Sequence, residues 1–308
     1  MQEQTSDAST TTLQSRLRGG QFVLTAEIAP PLSCVAGDLL AKALPLRGLA
    51  DAVNVTDGAS ARAHLGAVAA AALLIGAGIE PILQFTCRDR NRIALQSDLL
   101  GAAALGVRNL LLLTGDDPKA GDQPDTKPVF DLNSQQLLAT ARDMRDRGEL
   151  PSGRKISGAL AFFLGAADLP VDPKPDWKPD ALKKKIAAGA QFAQTQFCMD
   201  AGVVRRYTQR LREDGIEDFH VLIGVAPLRS AKSVRWMRKH LFGTIIDEAI
   251  VARLEAADDP AAEGARICVD LIEELAGIPG VSGAHIMAPG QDGAVPDVLK
   301  AARERLGR

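Results

Sequence analysis

The sequence is poor in cysteine, has no long apolar run and carries almost no net charge, and each shortage removes a class of protein. Cys34, Cys87, Cys198 and Cys268 lie far apart, so they form neither a Cys-x-x-Cys pair nor a disulfide framework. A reduced, cytoplasmic setting is expected. No apolar stretch reaches membrane-spanning length, and the opening MQEQTSDASTTT is polar where a signal peptide needs an apolar core. No membrane association is expected. Lys and Arg number 36 against 38 Asp and Glu, a net charge of −2, which gives no general grip on a phosphate polymer. A nucleic-acid partner is therefore not expected. His64, His220, His240 and His285 make no HxH, HExxH or other ligand spacing, and neither GxSxG nor a local Cys/His nucleophile signature occurs. These absences predict no catalytic metal, and core or rim positions for all four histidines.

What is present is an alternation of short β-rich apolar runs, turn signals and longer Ala/Leu-rich segments with helical spacing. Eight such units fit in 308 residues, with strands expected at 22–27, 52–56, 80–85, 109–114, 156–163, 192–196, 220–224 and 283–287. Helices are expected at 37–46, 61–76, 91–105, 134–147 and 179–188. Runs such as Leu110 to Leu113 suit strands buried on both faces of a parallel sheet. The α/β class follows, as a (β/α)8 TIM barrel rather than an open doubly wound sheet, because the first strand ends in Glu-Ile-Ala-Pro-Pro and lacks GxGxxG. The interval 226–278 exceeds one crossover, so extra helices are expected between strands seven and eight. Residues 1–20 read as a flexible tail with a short helix around 13–17, and 21–308 as one barrel domain. Two Pro- and Asp-rich loops, at 115–131 and 165–178, stand out by their length.

A barrel carries its chemistry at the C-terminal ends of its strands, so polar residues closing apolar runs are the candidates. These are Glu27, Thr56 with Asp57, Gln84 with Thr86, Asp116 and Gln196. Glu27 stands between Ala26 and Ile28, ahead of Pro30 and Pro31. An apolar setting would raise its pKa and suit it to proton donation, whereas pairing with an arginine would make it a rim carboxylate. Asp116 follows Thr114-Gly115, either as a functional carboxylate beside a close backbone approach or as an ordinary turn residue. Lys183, Lys184 and Lys185 follow Pro179 at the start of a helix, where an anion would offset their conflict with the helix dipole; a solvated lysine face is the alternative. Arg88, Arg90 and Arg92 read as a rim ion-pair network with Asp89 and Asp98.

At these same strand ends the chain resembles the methylenetetrahydrofolate reductase family, over roughly 22–287. The resemblance rests on QFTCRDRNRIALQSDLLGAAALGVRNLLLLTGDDP at 84–118, with AEIAPP at 26–31, NVTDGA at 54–59, AGAQFAQTQ at 188–196 and GVAPLRS at 224–230. It implies a barrel holding noncovalent FAD, reduced by NADH or NADPH and reoxidised by 5,10-methylenetetrahydrofolate to give 5-methyltetrahydrofolate, a reaction of one-carbon metabolism that leads toward methionine biosynthesis. By position Glu27 matches the family's general acid, Asp116 the carboxylate beside the flavin pyrimidine, and Gln196 the glutamine that binds the pterin. Thr56 matches a flavin hydrogen-bonding residue, and Lys184 with Lys185 the basic residues at the FAD phosphates. Gln84 stands where some members have histidine, and Asp57 where some have an aromatic residue, so the flavin surroundings differ. Small relatives that dispense with tightly held FAD are conceivable. Two rival readings stay open: a barrel lyase or aldolase binding a substrate phosphate through Lys183 to Lys185, and a silent reductase homologue serving as a subunit of a redox complex. Oligomeric state, a homo-oligomer included, is not specified by these residues.

Overall fold

The computed structural model describes residues 12–308. Eight strands, β1 (Val23–Ile28), β2 (Ala52–Val55), β3 (Pro81–Thr86), β4 (Asn109–Leu113), β5 (Phe163–Asp168), β6 (Phe192–Phe197), β7 (His220–Val225) and β8 (Gly283–Ile286), pair in parallel in chain order, and β8 closes on β1. The helices are α1 (Leu13–Arg18), α2 (Ala36–Ala43), α3 (Ala67–Gly76), α4 (Arg92–Ala104), α5 (Ser134–Arg147), α6 (Asp180–Ala188), α7 (Ala201–Glu213), α8 (Ala231–His240), α9 (Glu248–Ala256), α10 (Pro260–Ala276) and α11 (Val295–Arg305). The fold is a (β/α)8 TIM barrel, and α8, α9 and α10 together fill the long interval between β7 and β8. No helix among the described residues is long and apolar enough to cross a membrane.

Local signals set the helix starts. The Asn91 side chain accepts from the backbone N–H of Ile93 and Ala94 at the head of α4, and Asn133 with Gln136 forms a capping box on α5, which Gly148 ends in the left-handed region. Three sequence expectations are corrected. The fifth strand runs Phe163–Asp168, not 156–163, because the apolar 156–163 stretch is an approach segment; the loop placed at 165–178 therefore starts inside β5. The third helix begins at Ala67 instead of 61, since Gly58, Ser60 and Ala61 all have positive φ and cannot continue a right-handed helix. Lys185 falls in the last turn of α6, a helix of nine residues, not in its early turns.

Strand alternation divides the barrel interior into layers. Val23, Ala52, Ile82, Leu111, Phe163, Phe192 and Leu222 form the apolar lower layer with Leu13 and Leu17 of α1 packed beneath, and the Phe163 and Phe192 rings stack at 4.8 Å. Two residues further along the strands the interior turns polar, with Thr25, Asn54, Gln84, Gln194 and His285 all buried. Gly165 occupies its place on β5 because any Cβ there would strike the Phe192 ring.

The helix α1 is fastened to the barrel by Glu80, whose carboxylate accepts from Leu13 N–H at 3.0 and 3.2 Å and from Asn109 Nδ2 at 2.8 Å. Burial pushes the Glu80 pKa up from 4.5 despite these bonds and the nearby Arg108 and Arg16. A raised native pKa means the folded state holds this proton more tightly than the unfolded chain, so the contribution is present at low pH and is lost as pH rises above 4.5 through the native value. Glu80→Gln removes the titration. Melting temperatures of the two proteins should therefore diverge from pH 4.5 toward neutrality, with the variant gaining relative to wild type; a constant difference across that range would contradict the assignment.

Candidate active site

Glu27, Thr56, Gln84, Asp116 and Gln196 come from five different strands or the turns behind them, and all five border the barrel mouth. Two adjoining cavities of about 370 and 430 Å³ share Glu27, Gln84, Leu113, Ala167 and Gln196, forming one opening at the C-terminal ends of the strands. A roomier groove of about 860 Å³ lies at the opposite end, beside Arg18, Gln191 and His220. Its size does not make it the reaction site, because strand-end loops, not the barrel floor, carry barrel chemistry.

Glu27 is not in the apolar setting its sequence neighbours imply. Ala26 and Ile28 point outward into the core under the helices, while Glu27 points into the barrel, where its side chain is 25% exposed. Its Oε2 accepts from Gln84 Nε2 at 2.8 Å and lies 3.7 Å from His285 Nε2. Below it is a buried polar cluster. Asn54 and Gln194 exchange amide hydrogen bonds of 2.6 and 2.9 Å, Gln194 Nε2 lies 3.2 Å from Thr25 Oγ1 and 3.3 Å from His285 Nδ1, and Thr25 Oγ1 lies 3.0 Å from that same Nδ1. These partners were not legible in the sequence. Only the inward alternation of each strand signals them, and the sequence offers no more for His285 than a core or rim position.

On the other side of the mouth the arginines form ion pairs with the expected Asp89 and Asp98 and also with Asp57 and Asp131, which the sequence does not single out as their partners. Arg88 pairs with Asp89, Arg90 with Asp57 and Asp98, and Arg92 with Asp131. Asp57 is fully engaged, accepting also from Thr86 N and Oγ1 at 2.8 and 2.9 Å. Asp131, held by Arg92, has its pKa pulled down to about 2. Gly115 takes φ +95°, and a Cβ there would crowd Thr86 and Arg88, so the close approach at this turn is to protein side chains. Asp116 beyond it is exposed. Two buried atoms in this wall have no hydrogen-bond partner among the described residues, Thr56 Oγ1 and Arg88 Nη1.

Strand alternation from Phe192 through Gln194 brings Gln196 to the mouth, where the β6–β7 register shifts between Gln194 and Phe197. The Gln196 Oε1 accepts from Phe197 N at 3.0 Å and its Nε2 donates to the Phe242 carbonyl at 3.3 Å. The lysines do not act as a group. Lys183 pairs with Asp214 at 2.6 Å, Lys185 donates to the Ala167 carbonyl at 2.5 Å and borders the mouth, and Lys184 is exposed and lines neither cavity. Asp168, at the end of β5, was hidden by the misplaced fifth strand. It is buried against the Tyr207 hydroxyl, which donates to it, and burial pushes both of their pKa values up.

The methylenetetrahydrofolate reductase family model matches residues 12–303. A probable methylenetetrahydrofolate reductase (NADPH) of Caenorhabditis elegans is 27% identical over 75% of this chain and 34% of its own, and the 5,10-methylenetetrahydrofolate reductase of Pectobacterium carotovorum is 26% identical over 51% and 47%. The chain thus spans about a third to a half of the length of these curated relatives. Among solved structures, an uncharacterized Clostridium thermocellum protein that binds two copies of 5-methyl-5,6,7,8-tetrahydrofolic acid superposes with a TM-score of 0.65 at 12% identity, over 96% of this chain and all of that one. DmoA of Hyphomicrobium sulfonivorans superposes at 0.57 with 10% identity, over 94% and 89%. At such identities these two likenesses speak for the fold alone. With its family model matched from Thr12 to Arg303 and its strand-end residues gathered at one mouth, the chain belongs to the methylenetetrahydrofolate reductase family.

Proposed function

We propose that the chain reduces the methylene bridge of 5,10-methylenetetrahydrofolate to the methyl group of 5-methyltetrahydrofolate, with NADH or NADPH as electron source and FAD at the barrel mouth. The observation that carries this reading is the Glu27 carboxyl at the shared edge of the two mouth cavities, bonded to Gln84 and flanked by Gln196, in a chain of this family. Glu27 is the general acid. Gln84 and His285 both face its Oε2, so Oε1 is the oxygen left to hold the transferable proton. Proton transfer to the folate opens its five-membered ring to an iminium that accepts hydride. Gln196 binds the pterin, and Asp116 orients the reacting rings from the opposite wall.

The residues present fit the ring end of a flavin, since the unpartnered Thr56 hydroxyl and Arg88 Nη1 are donors beside Asp116 in want of acceptors. When bound, FAD would relay hydride from the nicotinamide to the folate. At the phosphate end Lys184, which is exposed, and Lys185, which would exchange the Ala167 carbonyl for phosphate, are the holders, Lys183 being committed to Asp214. That commitment also weakens the phosphate-binding lyase reading. A second reading, direct hydride transfer from nicotinamide to folate without resident flavin, is favoured by Lys183 and Lys185 already having protein partners.

The purified chain's visible spectrum separates these readings. A yellow protein bleached by NADH or NADPH and recoloured by 5,10-methylenetetrahydrofolate supports the first. Folate-dependent nicotinamide oxidation by a colourless protein, unchanged by added FAD, supports the second. No methylenetetrahydrofolate consumption under either condition overturns the proposed activity.

A further inference from the structure

The six residues of α1 span only about 9 Å, so the helix covers part of the barrel floor and leaves the feet of β5, β6 and β7 open. There lies the groove of about 860 Å³. Its walls are the end of α6 with the turn into β6 on one side and the turn from α7 into β7 on the other, and Phe163 of the lowest barrel layer borders it. Ile186, Ala190, Ile216 and Phe219 give it an apolar lining. No residue lines both this groove and either mouth cavity.

The charges around the groove are unevenly engaged. Lys183 is neutralised by Asp214, 2.6 Å away. Arg18 from the floor helix and Glu217 with Asp218 from the turn before β7 border the same space, yet none of the three joins an ion pair among the described residues. Arg18 and Asp218 still stand near enough to act on one imidazole: burial and then Arg18 pull the His220 pKa below 6.5, and Asp218 opposes them. His220 is therefore neutral at pH 7 and adds no charge. Gln191 adds donors, because its Oε1 accepts from Arg145 Nη1 at 2.7 Å and from Leu164 N at 3.2 Å, while its Nε2 has no partner among the described residues.

We propose that the floor groove binds a free α-amino acid with a large apolar side chain, its carboxylate on Arg18 and Gln191 Nε2, its ammonium on Glu217 and Asp218, and its side chain against Ile186, Ala190, Ile216 and Phe219. A simple anion would meet two carboxylates here, and a simple cation would meet Arg18. A zwitterion answers both signs at once. An α-amino acid carries its two charges on neighbouring atoms, so it bridges a cation and a carboxylate that do not meet each other, while the apolar lining rewards a side chain that leaves water. The site stands apart from Glu27 and does not depend on the reaction proposed at the mouth.

Isothermal titration calorimetry of the full chain with L-phenylalanine and L-leucine tests this. Three controls each lack one feature: hydrocinnamate has no ammonium, phenethylamine has no carboxylate, and glycine has no apolar body. Both amino acids should bind with Kd of about 1 mM or below, and each control at least about tenfold more weakly. Arg18→Ala, and Glu217→Gln combined with Asp218→Asn, should each weaken L-phenylalanine at least about tenfold. Because these side chains are exposed, the unliganded variants should melt within about 2 °C of wild type. Absence of binding by both amino acids at about 20 mM overturns the proposal, as does binding left unchanged by both variants, which would place the ligand elsewhere. Equal affinity for hydrocinnamate or phenethylamine overturns the zwitterion. Self-association that Arg18→Ala abolishes, with no amino-acid binding, would instead make the groove a face between two copies of the chain.

Discussion

Glu27→Gln should leave electron input from NADH or NADPH intact while slowing the folate-dependent step by at least about a hundredfold, the scale of a lost general acid. The substitution keeps the shape of the side chain and an oxygen that can accept from Gln84 Nε2, so the mouth should stay assembled. What disappears, on the proposed mechanism, is the proton that opens the folate ring. Oxidation of the nicotinamide needs no proton from this side chain, and the two halves therefore part company if a flavin divides them. Rapid-mixing absorbance on each half decides the matter. Equal slowing of both would point to a damaged cofactor site, and an unaffected folate half would take Glu27 out of the reaction.

A comparable effect on stability is expected from Gly264→Val in α10. This helix runs against the backbone of Leu228, in the segment after β7, so closely that a Cβ on Gly264 would overlap the Leu228 carbonyl oxygen, carbon and amide nitrogen. A side chain can rotate away from an intruder, but a backbone cannot. The helix must lift, uncovering apolar residues such as Ile267, Cys268 and Leu271 that it buries. Overpacking of this kind costs about 3 kcal/mol, which for a chain of this size lowers Tm by roughly 5 °C. A calorimetric shift below about 2 °C would show that α10 slides without loss and that the contact is soft.

The glycine contact could not have been read from the sequence, where GARICVDLIEEL shows only an amphipathic helix with one weak residue. Periodicity reports which face is buried, not how near the neighbour lies. The barrel itself was legible because parallel strands buried on both faces leave apolar runs, and seven of the eight expected strands overlap the observed ones nearly end to end. The fifth failed for a physical reason: Ile156, Leu160, Phe162 and Phe163 look like a strand, yet the true strand, FLGAAD, is built from small residues that must pass the Phe192 ring. That displacement hid Asp168. The mouth residues were found because polar groups ending apolar runs mark strand C-termini, a rule that needs no tertiary knowledge. His285, Gln194 and Asn54 escaped it, lying one inward step below the rim, where a polar residue inside a strand looks the same whether it serves a site or merely finds a partner.

The lower half of the barrel sets a condition on traffic. Leu13 and Leu17 of α1 sit against the stacked Phe163 and Phe192, and Glu80 ties that helix in place. The vessel so formed is stoppered at one end, so under the proposed reaction nicotinamide, folate and their products would share one doorway. Two visitors that queue at one door obstruct each other, and an excess of either substrate should slow the turnover of its counterpart.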